Sequence, residues 1–163
     1  LKASWIDGGV ITAGNSSQIS DGASAVMVMS EGRAGSLGAR PLARLVSFAT
    51  AACDPLLAQA ATIPATTLAL KRAGLGVDEI DLFEVDESFA SAVLAWSLEL
   101  GPQMDRVNVN GGAIALGDPV GASGTRLLTT LVHELARRKL RYGLVTIAGA
   151  LGTANACVVE SLG

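Results

Sequence analysis

Five glycines (Gly111, Gly112, Gly117, Gly121 and Gly124) fall within the sixteen residues from Val109 to Gly124, and no other feature constrains this chain as strongly. A backbone so rich in glycine either takes positive φ or lets another group approach closely. The stretch leaves a β-branched segment and enters a helix, in which Leu127, Leu128, Leu131, Val132 and Leu135 recur at helical spacing. Ser123 or Thr125 is placed to cap that helix. A strand, a glycine loop and a helix N-terminus in that order are suited to hold an anion or a developing oxyanion. The plain alternative is a tight strand-to-helix turn that binds nothing. No Gly-Lys-Ser/Thr follows the glycines, so the loop is not a nucleotide P-loop.

With 163 residues, 50% of them apolar and 17% charged, the chain can bury a core and reads as one α/β domain. A net charge of −3 carries no nucleic-acid footprint. The one basic run, Arg137, Arg138, Lys139 and Arg141, ends a helix and complements its dipole. Cys53 and Cys157 stand far apart and make no metal-binding spacing with His133, the only histidine, so no metal site is expected. Cys157 reads as a small buried hydrophobe in a strand, and His133 as a surface or half-buried structural residue. No membrane-length apolar run or signal peptide is visible, so a soluble, cytoplasmic protein of a reducing compartment is expected. The start at Leu1, without methionine, reads as a piece of something longer.

Strands and helices alternate along the chain, which predicts a sheet covered by helices. Strands are expected over Ala25–Ser30, Pro41–Ala52, Ile80–Val85, Arg106–Asn110, Tyr142–Ala148 and Ala154–Glu160. A short helix is expected over Glu31–Leu37, closed by Gly38, and another from Ile63-Pro64-Ala65 to Ala73. A third begins after Asp86 or Ser88 as cap and runs to Leu100. Four residues separate the last two strands, so they should pair as an antiparallel hairpin.

These elements and loops, in this order, resemble the C-terminal half of a thiolase. The resemblance rests on Thr12-Ala13-Gly14-Asn15-Ser16 with Asp21-Gly22-Ala23, on Ile63-Pro64-Ala65, and on Glu84 through Ala90. It rests also on Asn108 through Gly124 and on Gly143-Leu144-Val145-Thr146. It implies a thiolase-like half with a mixed five-stranded sheet and helices on both faces, spanning residues 1–163. It implies acyl transfer between coenzyme A thioesters, with no covalently bound cofactor. It also implies a partner, either the thiolase N-terminal half or another chain, in a homo- or hetero-oligomer. Without that partner the apolar faces around Leu94, Leu98 and Trp96, and around Leu127 and Leu131, would meet water.

In the family, the N-terminal half carries a nucleophilic Cys. The C-terminal half usually adds an Asn before Glu-Ala-Phe, a His in Gly-His-Pro and a Cys in a Cys-x-Gly loop. Here those three positions are Asp86, Asp118 and Ala148. Ala148 has no ionisable group to move the α-proton, and loss of a positioned acid/base costs roughly 10²–10⁴-fold. A carboxylate at Asp118 would repel both a thiolate and an oxyanion, by about 4 kcal/mol at about 4 Å and an effective dielectric near ~20. Ionised Asp86 accepts hydrogen bonds and donates none. By the same resemblance Ser88, Phe89, Gly117 and Ala150 are the positions expected to meet the thioester, Ala150 through its backbone N–H. Glu87 matches the family's own Glu and is expected to hold its loop. Cys53 is remote in sequence from every motif loop and lacks a His or Lys neighbour, which argues against a replacement nucleophile. Two readings remain from the residues: a degenerate half that is structural, regulatory or thioester-binding, or an active acyltransferase or thioester hydrolase completed elsewhere. A generic α/β binding domain would make the motif match a coincidence.

Overall fold

The computed structural model describes all of residues 1–163. Its sheet has four strands in the order β1-β4-β3-β2: β1 Ala43–Ala52, β2 Leu82–Val85, β3 Tyr142–Ala148 and β4 Thr153–Ser161. β2 and β3 are parallel, with Glu84 opposite Val145. β3 and β4 form the expected antiparallel hairpin, Ala148 opposite Ala154 at its closed end. β1 runs antiparallel to β4, with a bulge between Leu45 and Ser47.

Helices cover both faces, as expected. On one face α2 (Thr62–Ala73) and α3 (Ala90–Leu100) enclose a core of Ala65, Ala69, Leu70, Phe83, Val85, Trp96, Leu144 and Val158. Trp96 is fully buried there, edge-on to Phe83 with ring centroids 5.4 Å apart, and its indole N–H donates to Thr66 Oγ1 at 3.0 Å. On the other face α5 (Ser123–Arg138) packs Leu127, Leu131 and Leu135 against Leu82, Val145 and Val159. Leu127 and Leu131 are therefore covered within the chain itself, contrary to expectation. Leu94 and Leu98, at 56% and 85% exposed, do meet water.

Two expected strands are not strands, so the sheet is one strand short of the expected five. Ala25–Ser30 lies extended with Met27 and Val28 exposed and joins no ladder, because no strand of this chain runs beside it. A strand takes its backbone hydrogen bonds from a neighbour. Arg106–Asn110 contributes a single bridge, Val107 to Phe83, since Asn108 turns into the left-handed region at φ 47 and ends the extended run. The short helix forms as α1 (Glu31–Ser36), its N-terminus capped by Ser30. The basic run folds back onto its own helix: Arg137 and Arg138 both pair with Glu134. The Arg137 hydrogen bond, ahead of that from Arg138, holds the Glu134 carboxyl down at about 2. No helix is long and apolar enough to cross a membrane.

Leu131 is fully enclosed between α5 and the sheet. Leu131→Ala is expected to cost about 2–5 kcal/mol of stability, read as a lower denaturant midpoint with an unchanged slope.

Candidate active site

The site forms where β2 and β3 end and the glycine loop enters α5. One clamp holds these parts together. Asn108 donates from its backbone N–H to Phe83 O at 2.8 Å. Its side chain then completes the edge of β2: Oδ1 accepts from Val85 N–H at 2.7 Å and Nδ2 donates to Val85 O at 2.9 Å. The same Nδ2 donates to Glu87 Oε1 at 2.6 Å, and Glu87 Oε2 accepts from Ile114 N–H at 3.2 Å. Ile114 belongs to α4 (Ala113–Leu116), the single helical turn inside the glycine loop. Gly112 lets this happen, since a Cβ there would lie 2.1 Å from Glu87 Cδ.

Asp86 follows β2 directly and is buried, 5% exposed. Its backbone N–H donates to Thr146 O at 3.0 Å, and its Oδ2 accepts from Ser88 Oγ at 2.9 Å. Backbone N–H groups of Ser88 and Ala148 also reach its carboxylate. Burial holds the Asp86 carboxyl above its ordinary range, against the Ser88 hydrogen bond and with the Asp118 charge adding to the rise. Asp118 is 7% exposed and accepts from Ser123 Oγ. The Ser123 hydroxyl is thus spent on Asp118 and does not cap α5, whose N-cap is Ala122 without a side-chain bond. Thr125 donates instead to Ala122 O at 3.1 Å. Neither Asp86 nor Ser88 caps α3, whose N-cap is Phe89.

The structure therefore brings Asp86, Ser88, Asp118 and the Ala148 backbone together. Ala148 ends β3 half-buried, and Ala150 is exposed in the turn to β4. Phe89 packs edge-on against Trp5, centroids 5.5 Å apart. Gly117 takes φ 93 with Ser20 so close that a Cβ would lie 2.3 Å from its Oγ. The segment before residue 22 is a contributor that loop motifs alone do not reveal. Asp118 N–H donates to Gln18 O at 2.7 Å, Ser20 N–H to Asp118 O at 3.1 Å and Ser17 N–H to Ser88 O at 3.0 Å. Both aspartate loops are thus laced to one extended strip, whose pairing is visible only in three dimensions.

Cys53 also moves. Remote in sequence, it lies beside the last loop, its N–H donating to Gly152 O at 2.8 Å, with its thiol turned to the Asp54 and Ala58 carbonyls. Cys157 is in β4, where burial pushes its thiol up to about 11. His133 is exposed on α5. No group of three or more His, Cys, Asp or Glu side chains comes together to hold a metal.

The thiolase C-terminal domain model matches residues 39–161, and the thiolase N-terminal domain model matches residues 1–32. The chain belongs to the thiolase family and has its acyltransferase fold. It is 46% identical to an acetyl-CoA acetyltransferase of Syntrophomonas wolfei over 99% of this chain and 41% of that protein. It is 50% identical to a 3-ketoacyl-CoA thiolase of Yersinia enterocolitica over 93% of this chain and 40% of that protein. Human mitochondrial 3-ketoacyl-CoA thiolase superposes with a TM-score of 0.98 at 40% identity, covering 100% of this chain and 41% of that one. The chain thus spans about two fifths of the length of the relatives it matches.

Gly112→Ala places a methyl group inside the Glu87 carboxylate and must part the clamp. The expected loss is about 1–3 kcal/mol, with faster amide exchange at Ile114 and Val85 than in the parent protein. Unchanged exchange at both would show that the clamp does not hold the loop.

Proposed function

We propose that this chain is a thiolase portion that retains a coenzyme A thioester site and is impaired in Claisen chemistry. One observation carries the reading: around the end of β3, where the resemblance expects a thiol and an imidazole, stand the Ala148 methyl and the buried carboxyls of Asp86 and Asp118. Nothing at Ala148 can take an α-proton from an acyl group or return one to a carbanion. Asp118, already accepting from Ser123, has no cationic form with which to stabilise a thiolate. Burial favours the protonated form of Asp86, and that form carries an O–H that can donate to a thioester oxygen. Ser88, Phe89, Gly117 and the Ala150 backbone are the remaining contacts we assign to the thioester.

The donor exists only while Asp86 is protonated, and the raised pKa extends that form upward in pH. Affinity for a coenzyme A thioester should therefore fall as pH rises through the elevated Asp86 pKa. Calorimetric titration of the intact protein with acetyl-CoA, from about pH 5 to about pH 8, checks this. Asp118→His with Ala148→Cys should raise thiolysis by roughly 10²–10⁴-fold. Comparable thiolysis in the unmutated protein would instead favour an active acyltransferase completed by a nucleophilic Cys elsewhere, and release of free acid would favour a hydrolase.

The partner we assign is the rest of a thiolase fold, in the same or another chain. α5 covers the β2 and β3 side of its sheet face, while Phe48, at 73% exposed, and Leu45, at 45%, stay open on β1. Val26, Met27, Leu42, Leu128, Val132 and Leu162 line an apolar groove of about 550 Å³ between the Ala25–Ser30 strip and α5. The strip lies within the match to the thiolase N-terminal domain, whose sheet would supply the neighbour it lacks. The chain expressed alone should associate at micromolar concentration in sedimentation velocity. A stable monomer would count against this assignment.

A further inference from the structure

Beneath the two aspartates, the same elements bring together a second set of ionisable groups. Leu82, Glu84 and Asp86 alternate onto the α5 side of β2, and Leu82 packs in the cluster of Leu127. On α5, Ser123, which holds Asp118, and Arg126 stand one turn apart on one face. Glu84 and Arg126 thus form the layer directly below the site. Glu84 is 1% exposed, yet its Oε2 has no hydrogen-bond partner, and neither has the buried Arg126 Nε. A buried acceptor and a buried donor, both unpaired in one layer, are unusual and costly. The charged groups facing Glu84 are Arg126 and Glu134 from α5 and Glu87 from the loop after β2. Asp86 lies two residues further along the chain, just past β2, and the register partner of Glu84 on β3 is the uncharged Val145. Burial opposes ionisation most, Arg126 favours it, and the two other glutamates oppose it, which leaves the Glu84 carboxyl held up at about 8.

We propose that Glu84 and Arg126 are a proton-operated latch between β2 and α5. In the neutral state Glu84 stays apart from the guanidinium, which leaves Glu84 Oε2 and Arg126 Nε without partners. When the proton leaves to solvent, Arg126 is drawn onto the carboxylate, and both unpaired atoms gain a partner. Arg126 lies three residues from Ser123, so this shift pulls on the turn of helix that anchors Asp118. The latch is therefore a second, slightly alkaline control on the site, independent of whether the site binds thioesters.

The sign of the linkage follows from the direction of the shift. A carboxyl whose folded pKa is raised stabilises the fold below its ordinary pKa, and that contribution is lost as pH climbs toward about 8. Thermal unfolding of the intact protein should show the midpoint falling by roughly 10 °C between about pH 5 and about pH 8. Glu84→Gln should keep less than half of that fall. Carboxyl-carbon NMR titration of the unmutated protein reads Glu84 directly and does not depend on any variant folding. Arg126→Met should move the Glu84 midpoint still higher, because the one favourable charge is gone. The latch is overturned if Glu84 titrates in the ordinary carboxylate range, if Arg126→Met leaves its midpoint unmoved, or if Glu84→Gln retains the full pH slope.

Discussion

Asn108 does with its side chain what a neighbouring strand would do with its backbone. Its amide exchanges both hydrogen bonds with Val85, and its free N–H then reaches Glu87. Everything at the site is referenced to this point. Glu87 carries the position of β2 across to Ile114, and Ile114 carries it into the loop that ends at Asp118. A buried network of this kind holds one arrangement only if every member is satisfied. Each clamp group named here has its partner, which places the two aspartates on a fixed frame.

On that frame the chemistry is decided by which side chains arrive. Two carboxyls are buried together, and the hydroxyls of Ser88 and Ser123 each donate to one of them. A second negative charge in a buried space costs more than in water. The layer below repeats the theme with Glu84 and Arg126. The β2–α5 interface is thus polar near the site and apolar further down, where Leu82 meets Leu127 and Leu131.

The fold also leaves a surface unfinished. α2 and α3 close one face of the sheet around Trp96, whereas α5 alone covers only part of the other. The exposed Phe48 and the groove beside Ala25–Ser30 lie on that uncovered side.

Much of this was legible in the residues. Local pattern determined the hairpin, α2 and α5, because apolar spacing and turn residues act over a few positions. Motif order determined the family. Pattern failed where a strand needs a neighbour: Ala25–Ser30 has strand composition and no partner, and Arg106–Asn110 gives way to one asparagine in a left-handed turn. Only the tertiary structure could show that Gln18 and Ser20 grip Asp118, that Cys53 lies against the last loop, and that Glu84 Oε2 and Arg126 Nε are both buried without partners. Those relations join positions tens of residues apart, and the packing of β2 against α5 decides them, a constraint that no local stretch of sequence contains.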